Sequence, residues 1–201
     1  AASDVYKRQY ADNAQKVKDS SKIWVNSPVL NVEKTTDKPF YKYGDIITYR
    51  IVLTQEQTGC VARNVTLQDV IDTQGVRLLK DSVILMDEKG NVADADVQIN
   101  DDNTFLMSTG RTLVRDSRYS ICDNDKGGLF EQVMYNPLDC QEQKSMIVEY
   151  QAAVIDAALA GQKVHNTAVA DSSEKIPATG ETETEVHSPI LEIVKESDKK
   201  E

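Results

Sequence analysis

The chain is short of the residues that most chemistries need. Among 201 residues there are two histidines, three cysteines and one tryptophan. Neither His165 nor His187 has a serine or cysteine nucleophile at a recognisable spacing, so triad-type hydrolysis has no support. Cys60, Cys122 and Cys140 are too few for a disulfide framework and lack the paired spacing of a zinc site. A Cys122–Cys140 disulfide within one loop excursion stays open, the alternative being buried or free thiols; the odd cysteine is unpaired or pairs with another molecule. Basic residues are in deficit, with 23 Lys and Arg against 33 Asp and Glu and a formal charge of -10. A phosphate-binding surface needs clustered Lys and Arg, so nucleic acid is not an expected partner. No apolar run approaches the roughly 18 residues of a membrane helix, and no signal peptide opens the sequence. Helical periodicity is nearly absent.

What is present is 40% apolar content, enough for a core, distributed in short β-branched and aromatic runs. These runs alternate with period 2 and are separated by Gly, Asn, Asp and Pro clusters, which predicts an all-β sandwich. Strands are expected at 29–36, 45–54, 63–70, 82–87, 103–107, 146–155, 164–170 and 182–187. The polar, Gly- and Asp-rich stretch 108–145 has no readable period.

The two ends repeat one another. Ser27-Pro28-Val29-Leu30-Asn31-Val32-Glu33-Lys34 is echoed by Ser188-Pro189-Ile190-Leu191-Glu192-Ile193-Val194-Lys195, and Asp37-Lys38 by Asp198-Lys199 in the same register. A weaker echo sets Asn13-Ala14 and Asp19-Ser20-Ser21-Lys22 against Asn166-Thr167-Ala168 and Asp171-Ser172-Ser173-Glu174-Lys175. A repeat of this length is a domain array rather than a solenoid. The reading is a tail of one repeat and linker at 10–26, one whole repeat at 27–187 and the first strand of the next at 188–201. Asp4-Val5-Tyr6-Lys7-Arg8-Gln9 resembles the translation of a transposase-type sequencing adapter, and 1–9 are set aside from the fold on that ground.

Strand parity puts three polar residues on apolar faces, because successive side chains point to opposite sides. Lys34 shares a face with Leu30 and Val32, Asp69 with Val65 and Leu67, and Asn166 with Val164 and Ala168. A buried Lys or Asp costs several kcal/mol unless compensated. One resolution is a buried Lys–Asp ion pair with Asn completing the hydrogen bonds. The other is covalent: a desolvated, neutral lysine attacks the Asn carboxamide while a protonated carboxyl polarises the carbonyl and shuttles a proton to the departing ammonia.

Val32-Glu33-Lys34-Thr35-Thr36-Asp37, Tyr43-Gly44-Asp45-Ile46-Ile47-Thr48-Tyr49, Asn64-Val65-Thr66-Leu67-Gln68-Asp69 and His165-Asn166-Thr167-Ala168-Val169 occur in that order. Together they resemble the tandem Ig-like surface-repeat domains of bacteria and the collagen-adhesin A-type isopeptide domains of Gram-positive pilins. The resemblance implies an Ig-like Greek-key sandwich, with Lys34 and Asn166 as the cross-linked pair and Asp69 as the catalytic proton shuttle. It further implies a cell-surface stalk or spacer outside the cell, attached to the wall through regions elsewhere, whose partners are adjacent repeats. An adhesin that binds a host protein or glycan through 108–145 is the alternative. No enzymatic turnover, cofactor or metal is implied.

Rival residues read as structural. Glu149 shares a face with Ile147 and Gln151, opposite the core-facing Val148 and Tyr150, and Asp72 lies past a strand end. Ile176-Pro177-Ala178-Thr179-Gly180 resembles a sortase sorting signal, but a polar strand follows it, so it reads as a Pro-Gly hairpin turn. Asp123-Asn124-Asp125-Lys126-Gly127-Gly128 resembles half a calcium loop, but Met134 falls where the bidentate Glu belongs. Trp24 reads as a strand or linker anchor.

Overall fold

The computed structural model describes residues 2–9, 17–24, 27–57, 60–100, 102–115 and 142–188. Two strands at the start, β1 (Ala2–Gln9) and β2 (Val17–Trp24), form an antiparallel pair on their own, with Ala2 opposite Trp24 and Gln9 opposite Val17. The stretch set aside as adapter-like is thus a strand, held by backbone groups that any non-proline sequence supplies.

The rest is an all-β sandwich of two six-stranded sheets. In chain order its strands are β3 (Leu30–Thr36), β4 (Phe40–Tyr41), β5 (Ile46–Gln55), β6 (Val61–Ala62), β7 (Thr66–Ile71) and β8 (Val76–Leu78). Then follow β9 (Ile84–Met86), β10 (Val92–Ala93), β11 (Asp96–Ile99), β12 (Thr104–Ser108) and β13 (Thr112–Val114). The last four are β14 (Glu142–Gln143), β15 (Ser145–Val154), β16 (Lys163–Asp171) and β17 (Ala178–Val186). The first sheet runs β10-β9-β15-β5-β3, with β8 also on β15; the second runs β11-β12-β7-β16-β17-β4. Neighbours are mostly non-consecutive, so the chain crosses repeatedly between sheets in Greek-key fashion. A small third sheet, β14-β13-β6, buries Ala62, Leu113 and Val114.

The alternation read from the sequence is the alternation of burial. In β5, Ile47, Tyr49, Ile51 and Leu53 are buried; in β15, Met146, Val148, Tyr150, Ala152 and Val154 are. Each strand lines one wall of a shared core. Part of that wall on β16 and β17 is made of small residues, Ala168, Ala170 and Gly180, with Ala168 directly opposite Gly180. Their size lets β3 come close: a Cβ on Gly180 would lie 2.6 Å from the Val32 carbonyl oxygen. The corner after β3 is pinned by Asp37, which accepts from the Tyr41 hydroxyl at 2.6 Å and the Thr48 amide at 2.8 Å.

Two expectations need correction. The strand expected at 63–70 starts at Thr66, because Asn64 adopts φ 49° and ends any extended run there. The turn expected at 176–180 lies earlier, at Ser173–Glu174, and Ala178–Gly180 already belong to β17. Contacts far away in sequence place it: Ser173 donates to the Arg63 carbonyl at 2.8 Å, and Glu174 pairs with the Arg63 guanidinium at 2.7 Å. Pro177 merely precedes the strand, where its missing donor costs nothing. Part of the unreadable 108–145 stretch is ordered strand, β13 and β14.

Gly180→Ala tests the close approach. With backbone in the way, relief requires β3 to shift, and a loss of about 1–3 kcal/mol is expected in urea unfolding.

Candidate functional site

Lys34 lies on β3 at the edge of the first sheet, opposite Ile51 of β5. Asp69 of β7 and Asn166 of β16 belong to the second sheet, on neighbouring strands; Asp69 is opposite Ala168, which makes Asn166 its diagonal neighbour on the same face. The lysine reaches them across the core. Its side chain is fully covered and that of Asp69 nearly so. Lys34 Nζ is ion-paired to Asp69 Oδ2 and donates to Asn166 Oδ1 at 2.6 Å. The structure therefore brings together the three residues that parity had placed inward on separate strands.

A fourth residue closes the arrangement. The Tyr150 hydroxyl donates to Asp69 Oδ1 at 2.7 Å and accepts from Asn166 Nδ2 at 2.6 Å. The hydrogen bonds run in a ring: Lys34 to Asp69, Asp69 to Tyr150, Tyr150 to Asn166, Asn166 back to Lys34. Tyr150 faces Tyr49 directly across β15 and β5, their rings stacked with centroids 5.0 Å apart. Lys34 Nζ lies 5.5 Å from the Tyr49 ring centre and 5.6 Å from that of Tyr150, within cation–π range. Phe105 of β12 meets Tyr150 edge-on at 5.1 Å. The Tyr49 hydroxyl, buried beside Asn166, has no hydrogen-bond partner among the described residues. Parity put Tyr150 with Val148, and the same alternation groups Tyr49 with Ile47 and Ile51; the signal is in the sequence, but a tyrosine on an apolar face is ordinarily core filler.

Burial governs the electrostatics. It lowers the Lys34 ammonium from its ordinary 10.5 to about 8, against the pull of Asp69 in the other direction. It raises the Asp69 carboxyl, although Lys34 and Tyr150 both favour the anion. It also raises the Tyr150 phenol, with the Asp69 charge adding to the effect. Desolvation thus draws lysine towards amine and aspartate towards acid, the two neutral forms separated by one proton transfer along an existing hydrogen bond. The amine would lie against a carboxamide already fixed at both ends.

The rival carboxylates lie elsewhere. Glu149 points away from the core and pairs with Arg50, and Asp72 is exposed. His165 and His187 are on the surface, near Glu183 and Glu185 respectively, and His187 stacks on Phe40 at 4.2 Å. Cys60 is a free thiol. Cys122, Cys140, Asn13, Lys195, Met134 and the 123–128 loop lie outside the described residues, as does most of the 108–145 excursion; of Trp24 only its place at the end of β2 is described. Among the described residues no group of three or more His, Cys, Asp or Glu is arranged to hold a metal, and no helix is long and apolar enough to cross a membrane.

No family model matches the chain, and no curated protein matches it. Solved structures of similar fold include the N-terminal domain of the Streptococcus gordonii adhesin Sgo0707, at 14% identity and TM-score 0.49 over 79% of this chain and 32% of that one. Another is BcpA, the major pilin subunit of Bacillus cereus, at 11% identity and TM-score 0.49 over 92% of this chain and 55% of that one. A third is the collagen-binding domain of a Staphylococcus aureus adhesin, at 12% identity and TM-score 0.45 over 78% and 97%. The chain spans about a third of the length of the first and about half that of the second.

The lysine shift has a sign that can be measured. In an Asn166→Ala variant Lys34 remains an amine, and its folded-state pKa of about 8 lies below its unfolded value of 10.5. Between those values the unfolded chain binds more protons than the folded one, so stability rises with pH across that window. Below it the burial penalty is fully present. Urea midpoints of Asn166→Ala, referred to those of Lys34→Met combined with Asn166→Ala, should climb as pH passes upward through about 8; a flat difference counts against a buried ammonium.

Proposed function

We propose that this chain is a stalk or spacer domain of a bacterial cell-surface or pilus-like protein, acting outside the cell, in which Lys34 and Asn166 join in an intramolecular isopeptide bond. The observation that carries the reading is the Lys34 Nζ to Asn166 Oδ1 contact of 2.6 Å, in a dry site shared with Asp69. The side chain of Lys34 is fully covered, and Asp69 and Asn166 are nearly so. The groups that would react all belong to the chain, and holding them in place supplies the effective concentration that a bimolecular reaction lacks.

The chemistry balances without a co-reactant. Asp69 takes a proton from the Lys34 ammonium, and the freed lone pair attacks Asn166 Cγ, driving the carbonyl pair onto Oδ1. As the tetrahedral centre collapses, the bond from Cγ to Nδ2 breaks and its electron pair leaves with the nitrogen as ammonia. Of the three ammonium protons one stays in the new amide, one remains on Asp69 and one departs with the ammonia. Asp69 is left neutral in a site where burial already favours that form.

The bond would tie the edge strand of one sheet to an inner strand of the other and close a loop spanning 132 positions. It turns a pair whose burial is a liability into a neutral amide. Adjacent repeats of the same chain are the expected partners. The adhesin reading, through 108–145, rests mainly on residues outside the described ones, and the acidic surface does not name a ligand.

Intact mass is the deciding measurement. The folded chain is expected to weigh less than its sequence by one ammonia, and Lys34→Ala, Asn166→Ala and Asp69→Ala are expected to weigh what theirs predict. Full sequence mass in the folded, unmutated chain would reduce the site to a non-covalent cluster. Loop-closure reasoning gives Asn166→Ala a stability loss of about 4–5 kcal/mol relative to the cross-linked chain, read from denaturant unfolding.

A further inference from the structure

The ring of hydrogen bonds separates two tasks that a single carboxyl was expected to perform. Asp69 meets the nucleophile through Oδ2 and faces Tyr150 through Oδ1. The leaving nitrogen, Asn166 Nδ2, meets the Tyr150 hydroxyl at 2.6 Å. On the Asp69 side of the carboxamide, then, the group in contact with the atom that must be expelled is a phenol. Amide nitrogen is a poor leaving group until protonated, so whichever group delivers that proton governs collapse of the tetrahedral centre.

The geometry points to Tyr150 as a catalytic residue of the cross-link, relaying a proton from Asp69 to Asn166 Nδ2. This deepens the isopeptide reading and rests on it. In the ground state Nδ2 donates to the phenol oxygen; once the lysine has added, Nδ2 becomes pyramidal, gains a lone pair and can accept. The hydroxyl then turns from Asp69 Oδ1 to Nδ2 and gives up its proton, and the carboxyl carrying the lysine's proton restores the phenol. No atom is added and nothing is oxidised: the relay moves one proton from the Lys34 nitrogen to ammonia through two acids, and Asp69, left anionic by it, takes the second proton from that nitrogen as the amide forms and ends neutral.

The placement is rigid enough for the task. Tyr150 sits mid-strand in β15, between β5 and β9, and is stacked on Tyr49 and capped edge-on by Phe105. The residue is 1% exposed, so bulk water is a poor substitute proton source. Tyr150→Phe keeps the ring and its packing and removes the hydroxyl, and with it both the relay and the hydrogen bonds to Asp69 and Asn166; fluorotyrosine keeps those bonds and changes only the acidity.

The test is a time course of ammonia loss by intact mass on the full chain made by cell-free synthesis, with folding followed by near-UV circular dichroism. The expected result is folded Tyr150→Phe whose cross-linking is slowed about 100-fold or more, the lower range for a lost general acid. Fluorotyrosine at position 150 preserves shape and hydroxyl while making the phenol more acidic, and its rate should differ from that of tyrosine. Tyr150→Phe cross-linking at the unmutated rate overturns the relay and leaves the isopeptide reading standing. Should Tyr150→Phe fail to fold, equal rates for fluorotyrosine and tyrosine overturn it instead. An unmutated chain that never loses ammonia sinks the cross-link, and the relay with it.

Discussion

The structure turns on one ammonium group that has been taken out of water. Lys34 stands where an aliphatic residue would continue the Leu30, Val32 pattern, and the core closes over it completely. An unpaired charge there would cost several kcal/mol, more than most single contacts return. Asp69 answers the charge from the opposite sheet, Asn166 accepts from it, and Tyr150 spans those two. Each of these polar groups is tolerable inside only because the others are present. The site thereby also fixes how the sheets are stacked: sliding one over the other by a residue would part Lys34 from both acceptors and strand all of them.

Much of this was legible in the sequence, for a physical reason. Side-chain period in a strand is 2, so over six or more residues parity assigns an inward face without knowledge of the fold. That sufficed for Lys34, Asp69 and Asn166, and for dismissing Glu149. It could not say that Lys34 lies in a different sheet from the other two, because parity gives direction and not stacking. Nor did it single out Tyr150, whose place beside Val148 has a sufficient explanation in packing. Strands of two or three residues, such as β8 and β10, are too short to show a period at all. The turn assigned to Pro177 and Gly180 failed on long-range grounds: Arg63 and Asn64, more than a hundred residues earlier, hold Ser173 and Glu174. Gly180 then proves to serve packing against Val32 rather than turn geometry.

The small residues of β16 and β17 and the polar cluster are two parts of one solution. For a lysine on β3 to reach Asn166, β3 must lie close over the second sheet, and Gly180 and Ala168 are what allow it. Val32, which touches Gly180, is two residues from Lys34 on the same face. The sequence echo after Lys34 also gains a meaning here, since Asp37 fixes the corner that ends β3 by binding Tyr41 and Thr48. The strand is thus held at its centre by close packing and at its end by a hydrogen-bonded corner, and Lys34 lies between the two.

Topology decides what a bond at this site would protect. Tension applied through the two ends of the sandwich enters at β3 and leaves at β17, the first and last of its long strands. With Lys34 joined to Asn166, the load passes from β3 straight into β16, and everything between positions 34 and 166, including β5, β7 and β15, is relieved of it. What would remain outside the covalent path is the start of β3 before Lys34 and the run from Asn166 through β17. That run is secured by the β16–β17 ladder, from Lys163 opposite Glu185 to Ala170 opposite Ala178, and by the contact of Gly180 with β3. With such a bond, extension would be limited to the few residues before Lys34 and about twenty at the C-terminal edge, and the order of failure would be set by non-covalent pairing there while the core stays closed.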